Sequence, residues 1–167
     1  EKPTRRRANM LKKIGEPAPP TGFKLNLFRS PLYLYRLRLG FLFGERFIRL
    51  KHWGRVSGEL KETVIEVISQ DKSAGRVFSA SGFGDKSQWY KNIIVNENVF
   101  VMLKNTEYRA IARAVDEDEA KEILLRYGRS HPKAIKGVAR LSGYEMDGGE
   151  SDIIEFSSVV RIIEFTL

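Results

Sequence analysis

Residues 46–81 read RFIRLKHWGRVSGELKETVIEVISQDKSAGRVFSAS, three extended runs separated by two glycine-containing turns. In the first run Phe47, Arg49, Lys51 and Trp53 fall on one face and Ile48, Leu50 and His52 on the other. That period of two puts successive side chains on opposite sides of a strand. Leu60–Ser69 carries Thr63, Val64, Ile65, Val67 and Ile68, and Arg76–Ser81 follows the turn at Asp71–Gly75. β-branched side chains suit a pleated, half-buried surface better than a helix. The segment therefore predicts three consecutive antiparallel strands.

Working outward, Ser87 precedes a short helix through Trp89, Tyr90, Asn92 and Ile93, and Asn98–Lys104 with Thr106–Val115 forms a hairpin turning at Lys104-Asn105. Asp116 with Glu119 three residues on is a capping box for a helix to Arg129, and Pro132 opens another to Leu141. After Gly148-Gly149, Val159–Phe165 is a closing strand. Upstream, Ser30-Pro31 predicts a helix over Leu32–Phe43 that stops at Gly44. Residues 1–22 hold Pro3, Pro17, Pro19, Pro20 and Arg5-Arg6-Arg7 with little apolar periodicity, and read as a mobile basic arm before a single domain over 23–167. The pattern as a whole is α+β, mainly β: a small antiparallel barrel with flanking helices.

With 167 residues, 42% of them hydrophobic, the chain has enough apolar surface for a core, which excludes wholesale disorder. Cysteine is absent, which removes disulfides, thiolate nucleophiles and Cys-ligated metals. His52 and His131 stand apart, in no metal spacing and beside no triad partner, and read as structural or surface residues. Neither a Walker loop nor a G-x-G-x-x-G strand-to-helix turn is present. No secretory h-region follows the early arginines, and the expected location is cytoplasmic. Charge is uneven: residues 1–61 hold 15 Lys and Arg against four acids, a net of +11, and residues 62–167 hold 14 against 17, a net of −3. The first third therefore expects a polyanionic partner: nucleic acid, an anionic membrane surface or a multiply charged cofactor. The aromatics form no basic-interleaved strand platform, so nucleic acid is not expected.

Two loops carry the chemistry. Gly54-Arg55-Val56-Ser57-Gly58, with Lys61 beyond it, offers backbone N–H groups, a hydroxyl and a guanidinium, a donor set suited to phosphate. Ser81-Gly82-Phe83-Gly84 lies at a strand end before a helix on which Trp89 and Asn92 share a face, an arrangement that would admit a flat ring. Taken singly, each is also what an ordinary turn beside packed aromatics looks like.

Together, the order Leu34-Tyr35-Arg36, Leu39 to Gly44, Gly54 to Gly58, Ser81 to Gly84, Trp89 to Asn92, Arg109 to Arg113 and Tyr127 to Pro132 resembles the deazaflavin (F420)-dependent nitroreductase and quinone reductase family, over about residues 29–142. The resemblance implies a split β-barrel like that of flavin mononucleotide (FMN)-binding proteins, and hydride exchange between coenzyme F420 and a quinone, nitro or other conjugated acceptor. It implies that Arg55, Val56, Ser57 and Lys61 lie by the cofactor's phosphate and acidic tail. Thr63 and Val64 would line the ring, Ala80, Ser81 and Gly82 would run beside it, and Trp89 and Asn92 would close the far side. Val56 stands where relatives often have a second base, and Lys61 where some have Arg, which keeps the charge without the bidentate fork. Tyr33, Tyr35, Tyr127 and Tyr144 are candidate pocket aromatics or proton donors, packing being the plainer reading of each. No metal is implied. The alternatives are an FMN- or haem-binding split barrel, or a non-catalytic basic module at the membrane or on RNA, and on any of these readings a peripheral contact with the anionic inner face of the cell membrane stays open. Monomer and homodimer both stay open.

Overall fold

The computed structural model describes residues 11–17, 31–32 and 36–167. Six strands close into a barrel: β2 (Phe47–Trp53), β3 (Leu60–Asp71), β4 (Arg76–Ser81), β5 (Asn98–Leu103), β6 (Thr106–Ala114) and β8 (Arg161–Thr166), in the order β2-β3-β4-β8-β6-β5 and antiparallel throughout. Closure leaves no unpaired strand edge in the barrel. The alternation read from the sequence decides what each face meets. Ile48, Leu50, Val77, Val99, Val101, Ala110, Ala112, Ile163 and Phe165 fill the interior. Helix α1 (Gln88–Val95) joins them through Trp89 and Ile93, and so plugs one end of the barrel.

A second core lies outside the barrel. Helices α2 (Glu117–Ser130), α3 (Pro132–Leu141) and α4 (Glu150–Ser157) cover the outer faces of β3, β4 and β8 at Ile68, Phe78 and Ile162. Ile68 is the extra residue where the β3–β4 register shifts between Val67 and Ser69. Asp116 caps α2 as predicted, its carboxylate accepting from the Glu119 N–H at 2.9 Å.

Two expectations are corrected and one helix is added. Part of the proposed free arm is docked: β1 (Lys12–Lys13) pairs with β7 (Tyr144–Glu145), and Leu11 is buried in the helical core. The Ile14 and Gly15 N–H groups both donate to the Gly143 carbonyl, at 2.8 and 3.2 Å, and Gly143 holds a φ of +89° that glycine adopts without strain. The partner strand lies some 130 residues downstream, a pairing that local pattern does not encode; residues 1–10 and 18–30, including the Ser30 cap, lie outside the described residues. The helix over Leu32–Phe43 is not continuous, because Arg38 has a φ of 59° and Gly40–Phe43 forms a separate 3-10 turn. Helix α4 was not anticipated. Its Ile153 lies so close over Gly128 of α2 that a Cβ there would come within 2.6 Å of Ile153 Cδ1, so tertiary packing stabilises it more than its own propensity does.

Candidate functional site

The turn between β2 and β3 is tightened by its own backbone. The Gly54 N–H donates to the Glu59 carbonyl at 2.8 Å, the Gly58 N–H to the Gly54 carbonyl at 2.7 Å, and the Glu59 N–H to Ser57 Oγ at 3.3 Å. Gly54 is needed for close approach, since a Cβ there would lie 2.7 Å from Ser57 Oγ. Among the described residues the N–H groups of Val56 and Ser57 have no protein acceptor. Val56, 91% exposed, stands at the tip.

A polar chain ties this turn to the barrel plug. Asn92 of α1 accepts at Oδ1 from the Arg55 N–H (3.1 Å) and from Arg55 Nη1 (2.9 Å), and Gln88 Oε1 also accepts from Nη1 (3.1 Å). The Asn92 Nδ2 group then donates to His52 Nδ1 at 3.0 Å. An amide nitrogen can only donate, so Nδ1 is the bare nitrogen and the ring is neutral with its proton on Nε2. Burial, aided by the charge of Lys61 across the β2–β3 pair, pushes the His52 pKa down to about 4, which agrees. Both Asn92 and His52 are buried, whereas the Arg55 side chain is exposed.

The remaining candidates divide. Lys61 is exposed and paired with Glu59, whose carboxyl it holds below the usual range, so an acid shares the turn with the bases. Thr63 and Val64 occupy successive positions of regular β3, opposite Leu50 and Arg49, and so direct their side chains to opposite faces. Ala80 packs against the helical core, while Ser81 is buried with its hydroxyl donating to the Gly84 carbonyl at 2.9 Å. The Gly82 carbonyl accepts from Ser142 Oγ at 2.7 Å. Trp89 is 8% exposed, its ring centroid 6.5 Å from those of Tyr90 and Phe165. The structure thus brings Arg55, Ser57, Lys61 and Asn92 together, and places Ser81 and Trp89 within the packed fold.

Tyr127 is buried, its hydroxyl donating to Glu66 at 3.2 Å, and burial followed by the Glu66 charge raises its pKa, which leaves it a weak proton donor. Tyr144 packs edge-on against Phe156 at 6.2 Å; Tyr33 and Tyr35 lie outside the described residues. Sequence reading missed His52, Gln88 and Glu59. The one available signal was the inward parity of His52 on β2, at the barrel end nearest the glycine turn. A groove of about 540 Å³ also opens on the outer face, lined by Trp53, Phe100, Arg109 and Ile111 among others, but none of the eleven residues implied for the cofactor borders it. Among the described residues no cluster of three or more His, Asp or Glu could hold a metal, and no helix is long and apolar enough to cross a membrane.

Comparison with known proteins places this architecture. The chain is similar to an F420-H2-dependent reductase, FDR-A, with a TM-score of 0.51 and 12% identity over 73% of this chain and 95% of that one. A heme storage protein from Vibrio cholerae matches with a TM-score of 0.51 and 12% identity over 83% of this chain and 89% of that one. A conserved hypothetical protein from Mycobacterium tuberculosis matches at 0.51 and 13%, over 81% of this chain and 78% of that one. At such identities the likeness is one of fold, the split barrel the sequence led us to expect. No curated protein matches the sequence. The sequence model of the F420H(2)-dependent quinone reductases matches residues 36–135, more than half the chain, from the segment before β2 through the β2–β3 turn and α1 into the start of α3, and the chain belongs to that family.

Proposed function

We propose that this F420-dependent oxidoreductase passes hydride between the deazaflavin and a quinone, nitro compound or other conjugated acceptor, with the β2–β3 turn cradling the cofactor's phosphate. The observation that carries the cradle is the Arg55–Asn92 pairing. It consumes one guanidinium nitrogen and the Arg55 N–H, yet leaves the exposed side chain beside the unbonded N–H groups of Val56 and Ser57.

The donor set fits the group. A phosphodiester and an oligoglutamate tail offer only acceptors, and the turn offers a guanidinium, two N–H groups, a hydroxyl and the Lys61 ammonium. When bound, the cofactor supplies the hydride chemistry, so the chain need supply neither metal nor cysteine. Arg55 and Ser57 bind, Lys61 adds charge once it exchanges Glu59 for the ligand, and Asn92 orients Arg55. The buried barrel core behind Trp89 and Ile93 backs the helix that carries Asn92, and such backing favours a turn whose geometry needs little rearrangement to bind. The test is a fluorescence titration with F420 beside FMN. Saturable binding of F420 alone is the expected result; preference for FMN, or binding of neither, would overturn the proposal.

A further inference from the structure

A buried amide has no directional preference of its own. Asn92 is 5% exposed, so neither its oxygen nor its nitrogen can turn to bulk water, and its orientation is set by the groups at its two ends. At one end stand two donors, the N–H and Nη1 of Arg55. At the other stands a single ring nitrogen, His52 Nδ1, on the strand that leads into the turn. The Arg55 donors favour the oxygen on their side, and an acceptor at the second end adds to that preference and anchors the Nδ2 end of the amide. If position 52 lost its acceptor, the buried Nδ2 would be left without a partner and Asn92 would be held at its oxygen end alone, so that the side chain could shift and carry Arg55 out of line.

We propose that His52 is a positioning residue of the cofactor site: by accepting from Asn92 Nδ2 it holds the Asn92 oxygen toward Arg55 and so aims the guanidinium and the turn at the phosphate. The inference rests on the cradle reading above. His52 touches no ligand itself; it acts through Asn92. The device is rigid because each member is held by backbone structure. His52 sits in the regular β2–β3 register opposite Lys61, and Asn92 sits on the helix that plugs the barrel.

The experiment pairs binding with a signal from the cofactor-free protein. Affinities for F420 and for its phosphate-free ribityl-deazaflavin fragment are measured for the native protein, His52→Leu, His52→Asn and Arg55→Ala. Leucine offers no acceptor, whereas asparagine places an oxygen two bonds beyond Cβ, where Nδ1 stands. His52→Leu is expected to weaken F420 binding about ten-fold, the scale of one lost charge-assisted bond, and to leave the fragment within about two-fold. His52→Asn is expected to restore most of the loss. Nitrogen-15 NMR of the cofactor-free protein at neutral pH is expected to show His52 neutral with its proton on Nε2. The tautomer needs no variant, so it decides the hydrogen bond even where His52→Leu does not fold.

An Nδ1–H ring or an imidazolium would overturn the proposal. So would native F420 affinity in His52→Leu beside a clear loss in Arg55→Ala, or equal losses for F420 and the fragment, which mark a merely structural role. Arg55→Ala binding F420 as well as the native protein would instead overturn the cradle reading, and the positioning role with it.

Discussion

Two glycine-bearing loops, Gly54–Glu59 and Ser81–Gly84, have similar composition and differ in what their polar groups are doing. In the second, the Ser81 hydroxyl, the Gly82 carbonyl and the Phe83 and Gly84 carbonyls are all bonded within the fold, to Gly84, Ser142, Lys86 and Ser87 respectively. In the first, two N–H groups and most of a guanidinium are left over, because Asn92 reaches in and takes only part of what Arg55 offers. Serine, glycine and a nearby base are therefore not enough to mark a ligand loop. What distinguishes the first is a guanidinium that Asn92 and Gln88 hold in place without consuming.

The sharpest way to break the comparison is pH, because only the first loop leans on a buried titratable group. The unfolded chain takes a proton on His52 near pH 6.5 and the folded chain only near pH 4, where burial and the Lys61 charge hold its pKa. Acidification through that window therefore favours unfolding, by on the order of 3 kcal/mol at its acid end. Thermal melts between pH 7 and 4 should show this loss, and His52→Asn, which cannot titrate there, should flatten it. Next in size, Arg55→Ala should cost ~1.5–3 kcal/mol of F420 affinity, about ten-fold or more in a fluorescence titration, with the melting temperature nearly unchanged. Ser142→Ala should do the reverse. Loss of the hydroxyl that holds the Gly82 carbonyl should lower stability by about 1 kcal/mol in a denaturant titration while F420 affinity stays within about two-fold. The smallest contrast is between the glycines. Gly54→Ala pushes Ser57 Oγ from 2.7 Å and should cost about three-fold in affinity, a fraction of one hydrogen bond, whereas an added methyl at Gly82 meets only Leu141 at 3.5 Å and should leave both affinity and stability near native.

Much of the fold was legible. Arg76–Ser81 and Pro132–Leu141 match their expected bounds, because alternation, β-branching and an opening proline are local signals. Glu150–Ser157 was not legible as a helix, since it follows two glycines and its stabilising partner is the surface of α2 around Gly128. At the candidate site, residue type and tertiary placement carry different parts of the reading. Arg55, Ser57 and Lys61 announce a phosphate-seeking turn by residue type. The resemblance places Trp89 and Ser81 beside the cofactor; in the fold Trp89 packs at the barrel end and the Ser81 hydroxyl donates to the Gly84 carbonyl, contacts that local sequence does not encode.

By itself, then, the sequence determined the strands, the hairpins, the cap at Asp116 and the concentration of positive charge before residue 62, because each depends on neighbours a few residues away. Only the tertiary structure decided that Asn92 and Gln88 hold Arg55, that Lys12–Lys13 docks on Tyr144–Glu145, and that His52 faces Asn92 from 40 residues away. The physical reason is saturation: each hydrogen-bonding group has few places for a partner, and which partner fills them is settled by what the closed barrel brings within about 3 Å.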